Sequence, residues 1–259
     1  MIETIERQEV DKELLRKRFR CAVKTYNKHA VVQQSMAHEL VAMASQCIPK
    51  YHTNMAEFGC GTGLLTHEVM QKFVCDQYLA NDLVPDVAED INFIVKTEST
   101  ADLKFVQGDV ENVDLGQQQN VIWSGATIQW IQDLDRFFSR LYDALSEHGY
   151  VALSSFDIDN FMEVKTITGK GIDYKTMEEV MHYAQHYFKV LNYKSWHQQL
   201  WFDTPREVLK HMRFTGVNSV AKAQWGKADL AHFNNEYEMF RGEQGYPLTY
   251  HPFIIILQK

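Results

Sequence analysis

Residues 57–63 read Glu-Phe-Gly-Cys-Gly-Thr-Gly, with Gly59, Gly61 and Gly63 at alternate positions behind the acid Glu57. Glycine tolerates positive φ and, lacking a Cβ, lets backbone amides come close to a ligand. One glycine suffices for a tight turn, so three point to a bound group. The dinucleotide fingerprint G-x-G-x-x-G is met at Gly59 and Gly61, but its last position is Leu64. That mismatch disfavours a nicotinamide oxidoreductase. Further on, Asp82 stands 19 residues beyond Gly63, and Asp109 follows in Gly108-Asp109-Val110-Glu111. A carboxylate at a strand end can accept both hydroxyls of a ribose. His182 and His186 have the i, i+4 spacing of a metal pair, but no third ligand is evident, and the pair reads as an exposed helix face with no metal.

These groups need a framework. Short apolar runs at 54–58, 78–81, 103–107, 120–124 and 150–155 alternate with helical stretches near 63–73, 86–96 and 133–146. Strand and helix repeated this way predict an α/β fold, a parallel sheet wrapped by helices. The glycine loop then lies at the carboxyl edge of the sheet, where open α/β sheets bind ligands. Two more strands are predicted at 195–202 and 253–258. Thr204-Pro205-Arg206-Glu207 reads as a capping box opening a helix toward Arg213, and Thr176 with Glu179 as a second box before His182. At the amino end Asp11 can cap a helix carrying Leu14, Leu15, Phe19, Ala22 and Val23 on one face. A second helix is predicted over 31–45.

With 259 residues and 45% hydrophobic content, the chain can fill a sizeable core. It has no repeat or linker, which predicts one domain. No apolar run of about eighteen residues occurs, and Glu3, Glu6, Arg7 and Glu9 stand where a signal peptide needs apolar residues, so a cytoplasmic location is expected. Cys21, Cys47, Cys60 and Cys75 lack C-x-x-C spacing and read as reduced thiols. The net charge of -8 disfavours nonspecific nucleic-acid binding. Between Lys12 and Lys28, however, Lys12, Arg16, Lys17, Arg18, Arg20, Lys24 and Lys28 face a single acid, Glu13. This basic island is either a solvated helix face or a docking site for an acidic partner.

The G-x-G-x-G spacing behind Glu57, followed by Asp82 and Asp109 after successive strands, resembles the class I S-adenosylmethionine-dependent methyltransferases. Other motifs narrow the resemblance. Phe19-Arg20-Cys21-Ala22 with Tyr26-Asn27-Lys28-His29-Ala30, the block Trp123 to Trp130, Leu200-Trp201-Phe202-Asp203, Gly216-Val217 and Tyr246-Pro247-Leu248-Thr249-Tyr250-His251 are similar to motifs of the malonyl-[acyl-carrier protein] O-methyltransferases of biotin synthesis. The likeness covers nearly the whole chain. Gly125 stands where that family has asparagine, and Glu57 replaces the commoner aspartate.

The resemblance implies a Rossmann-like, mostly parallel seven-stranded sheet with an antiparallel C-terminal strand, N-terminal helices and helical lid insertions. Residues 1–50 would cover the site, 51–156 form the cofactor-binding core, and 157–259 supply the substrate side. The implied co-substrate is S-adenosyl-L-methionine, held by Glu57, Gly59, Cys60, Gly61, Gly63, Asp82 at the ribose, Leu83, Asp109 at the adenine, Val110, Ser124 and Tyr26. The implied acceptor is the free carboxylate of malonyl-[acyl-carrier protein], which is ionised at neutral pH and needs no general base. Arg213 is the first candidate to hold that carboxylate, with Tyr26, His29, Gln129, Trp130, Tyr246 and His251 as further pocket candidates. Acyl carrier proteins are acidic, so Arg16, Lys17, Arg20 and Lys24 become a candidate docking face. A quinone or another small carboxylic acid as acceptor, and a noncatalytic cofactor-binding module, are the alternatives. The first is separable by a substrate screen, the second by cofactor binding without turnover.

Overall fold

The computed structural model describes residues 10–169, 171–215 and 225–259; Glu3, Glu6, Arg7, Glu9 and the Gly216-Val217 motif lie outside the described residues. Asp11 caps the first helix, α1 (Lys12–His29), by accepting from Leu14 N at 2.9 Å. Leu15 and Ala22 are its buried contacts, while its basic side chains are exposed or half-buried. Helix α2 (Val31–Ala44) is apolar on most sides and correspondingly buried, with Val32, Met36, Leu40 and Val41 all in the core. It ends before Pro49, which cannot continue a helix.

The α/β core follows as β1 (Tyr51–Phe58), α3 (Leu64–Lys72), β2 (Val74–Asp82), α4 (Ala88–Glu98), β3 (Asp102–Gln107), β4 (Gln119–Gly125), α5 (Leu134–Ala144) and β5 (Leu145–Phe156). Then come α6 (Met162–Thr168), α7 (Met177–Ala184), β6 (Lys189–Ser195), β7 (Gln198–Phe202), α8 (Pro205–Phe214), α9 (Lys227–Tyr237), β8 (Tyr246–Tyr250) and β9 (Pro252–Gln258). The main sheet has the order β3-β2-β1-β4-β5-β9-β6, and β9 runs antiparallel to both neighbours. This is the expected mostly parallel seven-stranded sheet. Strand order reverses between β1 and β4, where Phe58 pairs with Ser124, and ligands bind at the carboxyl edge of such a reversal. One face of the sheet is covered by α2, α3 and α4, the other by α5 and α7. A third apolar cluster joins α2 to α8, α9 and the β7–β8 ribbon.

The run 195–202, predicted as one strand, is two. Strand β6 ends at Ser195, Trp196 N turns to donate to Pro252 O at 3.1 Å, and β7 begins at Gln198 in a different sheet. The same break recurs at His251, between β8 and β9. Both helices start at the predicted N-cap: Thr176 Oγ1 accepts from Glu179 N, and Thr204 Oγ1 from Glu207 N. Glu207 returns its carboxylate to Asp203 N, one residue earlier than the motif predicts. His182 and His186 lie edge to face with centroids 5.1 Å apart, and His186 Nδ1 approaches Asp135 Oδ1 at 3.5 Å. Among the described residues, no helix is long and apolar enough to cross a membrane.

Candidate functional site

The carboxyl edge of β1, β2 and β3 carries the acids, and the glycine loop links the first of them to α3. Each glycine has a separate reason. Gly59 has φ +65°, and a Cβ there would fall 2.0 Å from Thr127 Oγ1. Gly63, at φ +85°, starts α3, and its Cβ would meet Ile94 Cδ1 at 2.3 Å. Gly61, at φ +51°, would meet nothing within 4 Å. It faces a cleft enclosing about 1150 Å³ of empty space, part of it open to solvent. The middle glycine therefore serves the open space and the outer two serve packing.

Asp82 anchors this loop. Its Oδ2 accepts from Gly61 N at 2.8 Å and its Oδ1 from Val84 N at 2.7 Å. Burial pushes its carboxyl up, and the amides of Val84 and Gly61 pull it back. The amide of Leu83 acts in the same direction, and the carboxylate, with two lone pairs on each oxygen, keeps acceptor capacity for a ligand. Glu57 is buried beneath the loop, where Thr66 Oγ1 donates to it at 2.7 Å and Tyr78 Oη donates to the same oxygen. Burial raises its carboxyl to about 7 despite those two donors, and Asp82 adds to the rise. The folded-state value lies above the unfolded one. The group's contribution to stability is therefore full below pH about 4.5 and is lost as pH rises through about 7. Glu57→Gln should flatten that slope, removing roughly 2–3 kcal/mol of pH dependence between these limits, as read by urea melts of the free protein.

Helix α1 lies across the cleft. Lys12 Nζ bonds Glu111 Oε2 at 2.8 Å and Asp109 Oδ1 at 3.2 Å, tying the start of the helix to the acids after β3. Phe19 meets Trp130 edge to face at 6.0 Å, and Thr62 Oγ1 donates to Asn27 Oδ1 near the helix end. Burial and the nearby Asp82 raise the Tyr26 phenol, which stays protonated and able to donate.

Glu57, Gly59, Cys60, Gly61, Asp82, Leu83, Asp109 and Val110 line this cleft together with Tyr26 and Trp130. Gly63 and Ser124 are not among its lining residues; Ser124 is fully buried, and its Oγ has no hydrogen-bond partner. The other substrate-side candidates lie elsewhere. Arg213, expected to hold the acceptor carboxylate, is exposed on α8, because the buried face of that helix is given to Val208, His211 and Met212. His29 stacks on Phe214 at 4.5 Å. Gln129 is spent on Ala126 O and Ser155 Oγ, and Tyr246 Oη donates to Glu238. His251 points to Ser195 and Asp159. Of the basic island, Arg20 is engaged with Asp86 at 3.0 Å. Arg16 is half-buried, whereas Lys17 and Lys24 are exposed.

Sequence reasoning missed Gln33, Met36 and Ser154, which also line the cleft. Gln33 had a legible signal: it stands three and four residues before Met36 and Ala37, a polar side chain on an apolar stripe. Gln33 Oε1, Trp130 Nε1 and Ser154 Oγ are buried without a hydrogen-bond partner. Buried polar groups are nearly always paired, so these are groups suited to meet a bound molecule.

Comparison with known proteins agrees with this geometry. The family model described as "Methyltransferase domain" matches residues 56–153. A malonyl-[acyl-carrier protein] O-methyltransferase from Calditerrivibrio nitroreducens is 38% identical over 90% of this chain and 91% of its own. Another, from Chlorobium phaeovibrioides, is 36% identical over 96% of this chain and 97% of its own. A crystal structure of a methyltransferase from Bacillus halodurans, described as putative, superposes with a TM-score of 0.63 at 12% identity, covering 87% of this chain and 99% of that one.

Proposed function

Since the chain belongs to the malonyl-[acyl-carrier protein] O-methyltransferase family, we propose that it transfers the methyl group of S-adenosyl-L-methionine to the free carboxylate of malonyl-[acyl-carrier protein]. One observation carries the reading of the acceptor. The acids of the cleft stand at β1, β2 and β3, whereas Gln33, Met36, Trp130 and Ser154, grouped over β4 and β5, are neutral or apolar. Among the described residues that line the cleft there is no histidine. A hydroxyl or amine acceptor would call for a base there; an ionised carboxylate does not.

The fit to S-adenosyl-L-methionine rests on Gly61 and Asp82. The space beside Gly61 admits a ligand against the backbone, and the spare lone pairs of Asp82 suit two ribose hydroxyls. Asp109 stands where the adenine amine would be read, and Glu57 beneath the loop favours an ammonium above it. When bound, this co-substrate supplies an electrophilic methyl on a positively charged sulfur. One C–S bond breaks and one C–O bond forms, the carboxylate supplying the electron pair. No proton moves. The protein's work is to hold and desolvate the nucleophile. A carboxylate taken out of water needs hydrogen-bond donors, and the Trp130 indole, the Ser154 hydroxyl and the Tyr26 phenol supply them. Helix α1 excludes water, through Leu15, Phe19, Val23 and Tyr26 along the cleft.

The ester hides a charge from elongation enzymes built for apolar chains, which places this step at the priming of the pimeloyl chain for biotin, in the cytoplasm. The carrier protein docks on the exposed side of α1, at Arg16, Lys17, Arg20 and Lys24. Reversing Arg16 and Lys17 to glutamate should raise the KM for the carrier-bound substrate about tenfold, with an unchanged Kd for S-adenosylmethionine. Steady-state kinetics at two salt concentrations check this.

The test of the function is incubation with methyl-labelled S-adenosylmethionine and, in parallel, malonyl-carrier protein, malonyl-coenzyme A and acetyl-carrier protein. Ester label is expected on the malonyl species and not on the acetyl control. Label on neither malonyl species, with the cofactor shown to bind, would overturn the acceptor and leave another small molecule, such as a quinone, in its place.

A further inference from the structure

The two corners where the chain changes sheet face one another. The rings of His197, between β6 and β7, and His251, between β8 and β9, stack with centroids 3.9 Å apart and planes 23° from parallel. Asp159, in the turn after β5, joins them: its Oδ2 stands 3.1 Å from His197 Nε2 and 3.5 Å from His251 Nδ1. Hydrogen bonds hold the three segments together. Asp157 N donates to His251 O at 2.7 Å, His251 N to Asn160 Oδ1 at 3.2 Å, and Trp196 N to Pro252 O at 3.1 Å. The grouping is set by the fold.

Hydrogen bonds also orient the His251 ring. Ser195 Oγ lies 3.0 Å from His251 Nε2 and 3.3 Å from Pro252 O. Ser195 therefore holds the outer edge of the His251 ring at Nε2, leaving Nδ1 on the side of Asp159. His251 Nδ1 is buried, without a hydrogen-bond partner, and turned toward a carboxylate oxygen. A buried nitrogen and a carboxylate oxygen 3.5 Å apart, with no hydrogen bond between them, leave room for a cation.

We propose that Asp159, His197 and His251 bind a divalent transition metal of the zinc type, clamping the main sheet to the β7–β8 ribbon on the substrate side of the molecule. Ligand atoms about 2 Å from a tetrahedral metal stand about 3.3 Å apart, and the two distances from Asp159 bracket that value. All three ligand atoms lie within 4.8 Å of one another. The His197 side chain is half exposed, so its ring is free to turn and bring its nitrogen to the metal. Ser195 is then the outer partner that orients a ligating imidazole, as metal-bound histidines usually have. Water completes the coordination.

Cobalt(II) titrated into the full-length chain without a histidine tag tests this. The parent protein should develop the visible absorption of a nitrogen and oxygen site, without the near-ultraviolet band that the cysteines would give, and zinc should abolish it. Asp159→Asn and His197→Gln should each weaken the affinity at least about tenfold. His186→Gln, altering the other histidine pair, should leave it unchanged. His197 is exposed enough that its variant keeps the fold, which a thermal melt without metal verifies. Absence of the band in the parent, a sulfur band, full affinity in the His197 and Asp159 variants, or loss in the His186 variant each overturns the proposal.

Discussion

Asp82→Ala raises the dissociation constant for S-adenosylmethionine about 100-fold or more in isothermal titration calorimetry. Both carboxylate oxygens already accept a backbone amide, and Asp82 lines the cleft with acceptor capacity to spare. Two hydrogen bonds from a ligand to a charged group, each about 1.5 kcal/mol, together account for that factor. The same substitution also frees Gly61 N and Val84 N, so part of the loss comes from a loosened loop. Asp82→Asn separates the two contributions, because it keeps an acceptor of the same shape and should lose only about tenfold. An alanine variant that binds within about threefold of the parent would remove Asp82 from the site.

The second large effect contrasts two glycines of one loop. Gly61→Ala should weaken cofactor binding about 30-fold while costing only about 1 kcal/mol of stability, the strain of a side chain at positive φ. Its methyl group meets no protein atom and stands in the cleft. Gly59→Ala should instead unfold early, by about 3 kcal/mol, because its Cβ meets Thr127 Oγ1 at 2.0 Å and the backbone is also left-handed. Thermal melts and calorimetry on both variants check the contrast. Equal losses of stability would mean that Gly61 is a packing residue like its neighbours.

The cofactor half was legible in the sequence because its signals are local. Glycines at alternate positions, a capping residue or an acid at a strand end occupy fixed offsets from elements whose periodicity is plain. The substrate half was less so. Strand β6 is half exposed and polar at the sheet edge, and α9 is exposed over most of its length, so neither shows a strong apolar period. The split of 195–202 depends on a backbone bond to Pro252, more than fifty residues away, which no local pattern encodes. Arg213 looked suited to a carboxylate by residue type and by its place on a capped helix. Which face of α8 is buried was decided by Val208 and Met212, and it turned Arg213 outward. Gln33 carried the opposite lesson: a polar residue on an apolar stripe was visible, and its meaning became clear only once α2 was seen over β4 and β5.

The most direct test of carboxyl methylation is the intact mass of malonyl-carrier protein after incubation with the enzyme and unlabelled S-adenosylmethionine. The account predicts a gain of one methylene mass on the acyl group, which, released from the carrier, co-elutes with authentic monomethyl malonate and loses its methyl as methanol in base, and no gain with the Asp82→Ala protein under limiting cofactor. A gain whose released acyl group does neither, or one that appears equally on acetyl-carrier protein, would place the methyl on some other atom and contradict it.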